Sequence, residues 1–187
     1  KYIDIPLQHI SDNLLRSMSR GITTRQTIDL INKIRTKIPG AHIRTSFIVG
    51  LPGETEENFH ELMDFVRDTS FERVGAFVYS REEGTAAYSM AEQVPDTIKR
   101  KRLNALMALQ QKISRDVQKS KIGRNLDVLI DEAQQGEENI YLGRTQYDAP
   151  EVDGVVYVHS ARKLDPGDIV PVEITDSYEY DLVGNAL

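Results

Sequence analysis

Apolar residues change their spacing once along this chain, and the change divides it in two. Tyr2-Ile3-Asp4-Ile5-Pro6-Leu7 reads as a strand. Ser11 or Asp12 then opens a short helix carrying Leu14, Leu15 and Met18, which Gly21 ends. Thr24 is the expected cap of a second helix, with Ile28, Ile31, Ile34 and Ile38 on one face and Pro39-Gly40 behind it. His42–Val49 reads as the next strand. Thr55 caps a third helix, with Glu56 and Glu57 in its first turn and Phe59, Leu62, Met63 and Val66 at i, i+3, i+4 and i+7. A strand over Val74–Tyr79 and a polar loop over Ser80–Gln93 follow. Pro95-Asp96 opens a long helix to about Lys121, with Leu106, Leu109, Ile113 and Val117 as its expected inward face. Alternation of this kind predicts parallel strands joined by right-handed crossovers.

Gly123 marks a switch to a period of two. Leu126–Ile130, Ile140–Thr145, Gly154–His159, Ile169–Thr175 and Tyr178–Val183 read as short strands. Gln135–Asn139 and Leu164–Asp168 are turns; in the latter, Pro166 sets φ and Gly167 permits positive φ. Five short strands in so few residues predict a small closed or nearly closed barrel. The expected domains are therefore residues 1–121, α/β, and residues 122–187, all β.

Charge follows the same division. Residues 1–121 carry 19 basic and 15 acidic side chains, a net +4, and residues 122–187 carry 4 and 14, a net −10, which together make the −6 of the chain. So acidic a module repels phosphate backbones and attracts basic partners. The mean hydropathy is −0.41, and no run approaches the roughly 18 apolar residues of a membrane span. No cysteine is present. That excludes disulfides, thiolate metal sites and a cysteine nucleophile within these residues. The chain opens on a strand-like run without a start Met, which reads as a fragment lacking its amino-terminal part.

Candidate chemistry gathers where strands end. Thr45–Val49 runs into Gly50-Leu51-Pro52-Gly53-Glu54-Thr55, a glycine turn between a strand and a helix. It has neither the Gly-Lys-Ser/Thr end of a phosphate-binding loop nor a dinucleotide fingerprint. By itself it reads first as a plain βα turn, with Glu54-Thr55 as the helix start. Gln8-His9 lies just past the first strand, a position that faces the mouth of a barrel or else caps the next helix. Arg44 and Ser46, then Tyr79-Ser80-Arg81, add polar groups to the same row of expected strand ends.

Taken together, these stretches carry a resemblance. Asp4-Ile5-Pro6-Leu7-Gln8-His9, Met18-Ser19-Arg20-Gly21, Arg44–Thr55, Phe77-Val78-Tyr79-Ser80, Gly84-Thr85, Gly143-Arg144-Thr145 and Asp148–Val158 resemble the carboxyl-terminal part of radical S-adenosyl-L-methionine (SAM) methylthiotransferases. The resemblance implies the carboxyl half of a (βα) partial TIM barrel over residues 1–121, and an OB-like TRAM barrel over residues 122–187. It implies SAM as cofactor, serving as radical source and as methyl donor. It also implies two [4Fe–4S] clusters in the full-length protein, whose cysteine ligands are absent from this chain. The implied SAM-facing residues are Gln8, Arg44, Ser46, Ile48, Gly50, Glu54 and Tyr79. Ile48 would pack on the adenine, Gly50 would let the backbone approach, and Tyr79 would sit near the base. Against the superfamily pattern GxIxGxxE, Ser46 replaces the first Gly and Glu54 lies one position late, so that capping the helix is a competing job for Glu54. No catalytic or metal-ligating residue is assigned within the chain.

Pro6-Leu7-Gln8-His9-Ile10-Ser11 and Ala149-Pro150-Glu151-Val152-Asp153-Gly154 resemble the branch that methylthiolates an aspartate β-carbon on a small-subunit ribosomal protein. The −10 balance points the same way: an acidic module suits a basic ribosomal protein ahead of tRNA. A cytoplasmic enzyme without membrane association is the expectation, and the isolated chain is expected to be inactive. Two alternatives stand beside it. One is a tRNA adenosine methylthiotransferase with an unusual acidic barrel. The other is a non-enzymatic OB-like binding module on an α/β scaffold.

Overall fold

The computed structural model describes residues 1–187. Residues 3–110 form one compact unit; residues 111–187 form another, together with Lys1–Tyr2. The α/β part runs β1 (Tyr2–Asp4), α1 (Asp12–Ser17), α2 (Thr24–Lys37), β2 (His42–Val49), α3 (Glu56–Thr69), β3 (Arg73–Val78) and α4 (Asp96–Lys119), with a 3-10 turn at Ala86–Ser89 before α4. Its sheet has the order β1-β2-β3, and β2 pairs parallel to β3.

β2 shows why the unit folds as it does. Side chains on a strand alternate between faces. Ile43, Thr45, Phe47 and Val49 are buried, whereas Arg44, Ser46 and Ile48 are half-buried on the opposite face. The Phe47 ring meets Phe65 of α3 and Phe71 edge-on, at 6.4 and 6.1 Å between centroids. Phe59, Leu62, Phe65 and Val66 are the buried residues of α3. Met63, expected among them, is half-buried.

Helix starts follow capping chemistry. Thr55 accepts a hydrogen bond from the Asn58 amide while Asn58 accepts one from Thr55 N–H, a reciprocal box. For α2 the cap is Thr23 instead of Thr24, because Gln26 sits three residues on and completes the same box. Thr24 instead donates its hydroxyl to the Ile10 carbonyl and to Asp12. Of the four isoleucines expected on one face of α2, only Ile31 is buried; Ile28 and Ile38 are exposed.

The face of α4 differs more. Its buried residues are Lys99, Arg102, Leu106 and Gln110 in the first unit, and Ser114 and Gln118 in the second. Leu109, Ile113 and Val117 are half-buried. The stripe keeps helical spacing but is turned by about one residue, and it is mostly polar. These polar groups find partners: Gln110 donates to the Phe71 carbonyl at 2.9 Å, and Gln118 donates to the Tyr180 carbonyl.

The second unit closes β4 (Asn125–Ala133), β5 (Ile140–Thr145), β6 (Val156–His159), β7 (Ile169–Ser177) and β8 (Leu182–Ala186) into a barrel of order β4-β5-β6-β8-β7. All neighbours are antiparallel except the β6–β8 pair, and closure leaves no free edge. Val128, Ile130, Val156, Val158, Val172, Ile174 and Leu182 fill the interior. The last strand lies later than expected. Tyr178–Asp181 is a turn, with Tyr178 N–H on the Asp181 carbonyl at 3.0 Å. The strand instead runs through Gly184, where a Cβ would come within 2.5 Å of the Glu173 carbonyl.

Candidate functional site

Three segments meet at the carboxyl end of the sheet. β1 ends early, at Asp4, but the chain stays alongside β2. Gln8 N–H donates to the Ser46 carbonyl and the Gln8 carbonyl accepts from Ile48 N–H, both at 2.8 Å. Gln8 does this at φ 71, a left-handed conformation rare outside glycine. On the other side, Tyr79 N–H donates to the Val49 carbonyl at 2.9 Å.

The side chains then sort by the period of two. Arg44, Ser46 and Ile48 share one face, and Ile48 stands in register with Phe77, which is 60% exposed. Arg44 and Ser46 are therefore mid-strand and not at a strand end; what they share with Ile48 is its face of the strand. Arg44 lies two pleats before Ile48, roughly 13 Å along the strand, and its guanidinium reaches Asp4 at 3.4 Å. Opposite Ser46 stands Gly75, where a Cβ would come no closer than 3.6 Å to the Ser46 hydroxyl. Tyr79 carries a buried hydroxyl with no hydrogen-bond partner.

Glu54 has work of its own. Its Oε2 accepts the Gly50 and Leu51 amides at 2.7 and 3.1 Å, so the carboxylate closes the glycine turn on itself. Its Oε1 accepts from Arg102 of α4 at 2.9 Å, and the same guanidinium reaches the Glu54 carbonyl and Glu56. The helix cap is left to Thr55. Burial pushes the Glu54 carboxyl up, against the Leu51 amide, Arg102 and the Gly50 amide. Gly50 has φ +77, and the space its missing Cβ would take is filled by the Lys99 stem, 2.2 Å from that position. Gly50 thus admits a neighbouring helix side chain.

His9 departs from both expectations, mouth group and solvated loop. It is fully buried. Its Nδ1 accepts from the Ser11 amide at 3.1 Å, and its Nε2 lies 3.9 Å from Glu54 Oε2 without a hydrogen bond. Burial, with Arg102 nearby, lowers its pKa to about 4. It is neutral at pH 7 and belongs to the scaffold of the turn. Lys99 and Arg102 were not expected at all. The only signal for them is the polar stripe of α4, which a search for apolar periodicity passes over.

Known proteins match this architecture. The radical SAM superfamily model matches residues 1–66 and the TRAM domain model matches residues 122–187. The chain is 52% identical over 98% of its length to the ribosomal protein uS12 methylthiotransferase RimO of Caldanaerobacter subterraneus subsp. tengcongensis, covering 41% of that relative. It is 48% identical over its whole length to the protein of the same name from Clostridioides difficile, again covering 41%. The chain thus spans about two-fifths of the length of these curated relatives. Among solved structures, coproporphyrinogen III oxidase (HemN) from Escherichia coli, a radical SAM enzyme, aligns with a TM-score of 0.50 at 14% identity, over 78% of this chain and 41% of that one. That likeness concerns the fold alone. With a radical SAM segment followed by a TRAM domain, and about half of all residues shared along its length with these relatives, this chain is built like part of a radical SAM methylthiotransferase.

Proposed function

We propose that this chain contributes the SAM-facing wall and the substrate-docking barrel of an enzyme that methylthiolates the β-carbon of an aspartate on a small-subunit ribosomal protein, in the cytoplasm. The observation that carries the reading is the identity of about half over nearly the whole chain with relatives named as ribosomal protein uS12 methylthiotransferases. The SAM-facing set is Gln8, Arg44, Ser46, Ile48 and Tyr79, with Gly50 and Glu54 shaping the turn behind them. SAM fits these residues. Ile48 offers an apolar surface, Gly75 leaves room beside Ser46, and the unpartnered Tyr79 hydroxyl suits the hydrogen-bonding edge of a base. When bound in such enzymes, SAM supplies the radical and the methyl group.

The two [4Fe–4S] clusters proposed for the whole enzyme do not fit the residues present. The chain has no cysteine, and no group of three or more His, Asp or Glu side chains stands together to hold a metal. Cluster ligands must come from residues outside this chain. The −10 balance of residues 122–187 favours a basic protein over tRNA as the substrate.

Two assays test the reading. The isolated chain, incubated with iron, sulfide, reductant and SAM, should produce no 5′-deoxyadenosine; turnover would overthrow the division of labour. A chimera in which this chain replaces the matching part of the Caldanaerobacter relative should add a methylthio group to an aspartate of the ribosomal protein, read by mass spectrometry. Modification of tRNA in its place would move the family assignment to the other branch.

A further inference from the structure

Beside the proposed SAM-facing strand lies a cavity of about 300 Å³. Its walls are Val78, Tyr79, Ser80 and Arg81 from the end of β3, and Asp96, Lys99 and Arg100 from the first turns of α4. Three cations thus face one carboxylate. Lys99 is nine-tenths buried, and its ammonium is spoken for: it donates to the Tyr79 carbonyl at 3.1 Å, lies 3.2 Å from Asp96, and sits 5.2 Å from the centre of the Tyr79 ring. Arg81 is held in place without its charge being neutralised. Its Nε donates to the Tyr88 carbonyl at 2.9 Å, and its guanidinium stacks over the Tyr88 ring at 4.6 Å. Both acceptors are uncharged, so its terminal nitrogens keep their capacity for an anion. Arg100 is exposed. Ser80 turns its hydroxyl to Glu82. Tyr79, whose hydroxyl is given above to the base, contributes its ring as a wall.

We infer that this cavity is the subsite for the substrate's carboxylate, held by Arg81 and Arg100 against the Tyr79 wall. The inference rests on the aspartate reading above and names the residues that would recognise that side chain. The planar guanidinium fork of N–H donors matches a carboxylate, and this volume suits one side chain and not a polymer. The cavity lies in residues 1–121, whose net charge is +4, so its small volume, and not charge, is what disfavours a polyanion. A basic polypeptide is attracted by the acidic residues elsewhere, and its isolated acidic side chain then needs an isolated basic pocket. Anchoring through the carboxylate leaves the adjacent β-carbon unengaged by the two guanidinium groups.

The test uses the whole chain and two fluorescent lysine-rich peptides, alike except for a central Asp or Asn, in anisotropy titrations at low salt. The Asp peptide should bind about tenfold more tightly, the order of one charged hydrogen-bonded pair. The double variant Arg81→Gln/Arg100→Gln should bind both peptides as the original binds the Asn peptide. Equal affinity of the two peptides for the original chain would overturn the subsite. So would a preference for Asp that survives in the double variant. An oligouridine RNA that binds more tightly than the Asp peptide and weakens in the double variant would also overturn it, and would assign the pocket to phosphate. The chimera assay separates the two claims: aspartate modification alongside equal peptide affinities removes the subsite and leaves the proposed activity standing.

Discussion

Replacing Arg102 by Met should destabilise the α/β unit by about 3–5 kcal/mol, the usual consequence of removing one partner from a buried ion pair. Arg102 is 6% exposed and Glu54 5%. Without the guanidinium, Glu54 keeps the Gly50 and Leu51 amides but loses its countercharge in a site where burial already raises its carboxyl. The loss should therefore grow with pH. The folded variant releases the Glu54 proton at a higher pH than the unfolded chain does, so stability declines as pH rises through that window. Urea unfolding at pH 5 and pH 8 measures both effects. A loss under about 1 kcal/mol, the size of an exposed pair, or a loss larger at pH 5, would remove the ion pair from the account of the turn.

The second large effect is an acid lability that belongs to His9. The folded state holds His9 to a pKa of about 4 against 6.5 when unfolded. Between those values the unfolded chain binds the extra proton, so the contribution is intact above pH 6.5 and drains away as pH falls toward 4. Each pKa unit corresponds to about 1.4 kcal/mol. His9→Asn offers an oxygen where Nδ1 accepts from the Ser11 amide but cannot take a proton. From pH 7 to pH 4.5 the original chain should lose about 2–3 kcal/mol more than the variant. Glu54 works in the opposite direction over its own window and is present in both proteins, so the difference isolates His9. Parallel stability profiles would show that His9 is not held neutral by the fold.

The sequence makes some of this plain and hides the rest, for physical reasons. β2 is legible to the residue because a β-rich run with one buried and one half-buried face stands between Pro39-Gly40 and a glycine turn. Thr55 is legible as a cap because capping depends on neighbours three residues away. Thr23 follows the same rule, through Gln26, and is missed when only the first helical hydroxyl is considered. β8 is hidden because Gly184 and Asn185 have poor strand propensity, while the barrel needs a residue without a Cβ against the Glu173 carbonyl. The α4 stripe is hidden because burial there is satisfied by hydrogen bonds and ion pairs to distant residues. Arg102 lies 48 positions from Glu54, and no local pattern announces that pairing. Among the site residues, Ile48 and Ser46 follow from strand periodicity. The structural tasks of Glu54, Gly50 and His9 depend on α4 and appear only when the helix is in place.

One face of β2, with Gln8 and Tyr79 at its flanks, is the proposed SAM-facing wall. Titrating the isotope-labelled chain with millimolar SAM and following backbone amide resonances tests it most directly. The account predicts shifts concentrated at Gln8, Ser46, Ile48 and Tyr79, weakened by Ile48→Asp, with residues 122–187 unmoved. Shifts confined to residues 122–187, or a response at the wall that Ile48→Asp leaves unchanged, would contradict it.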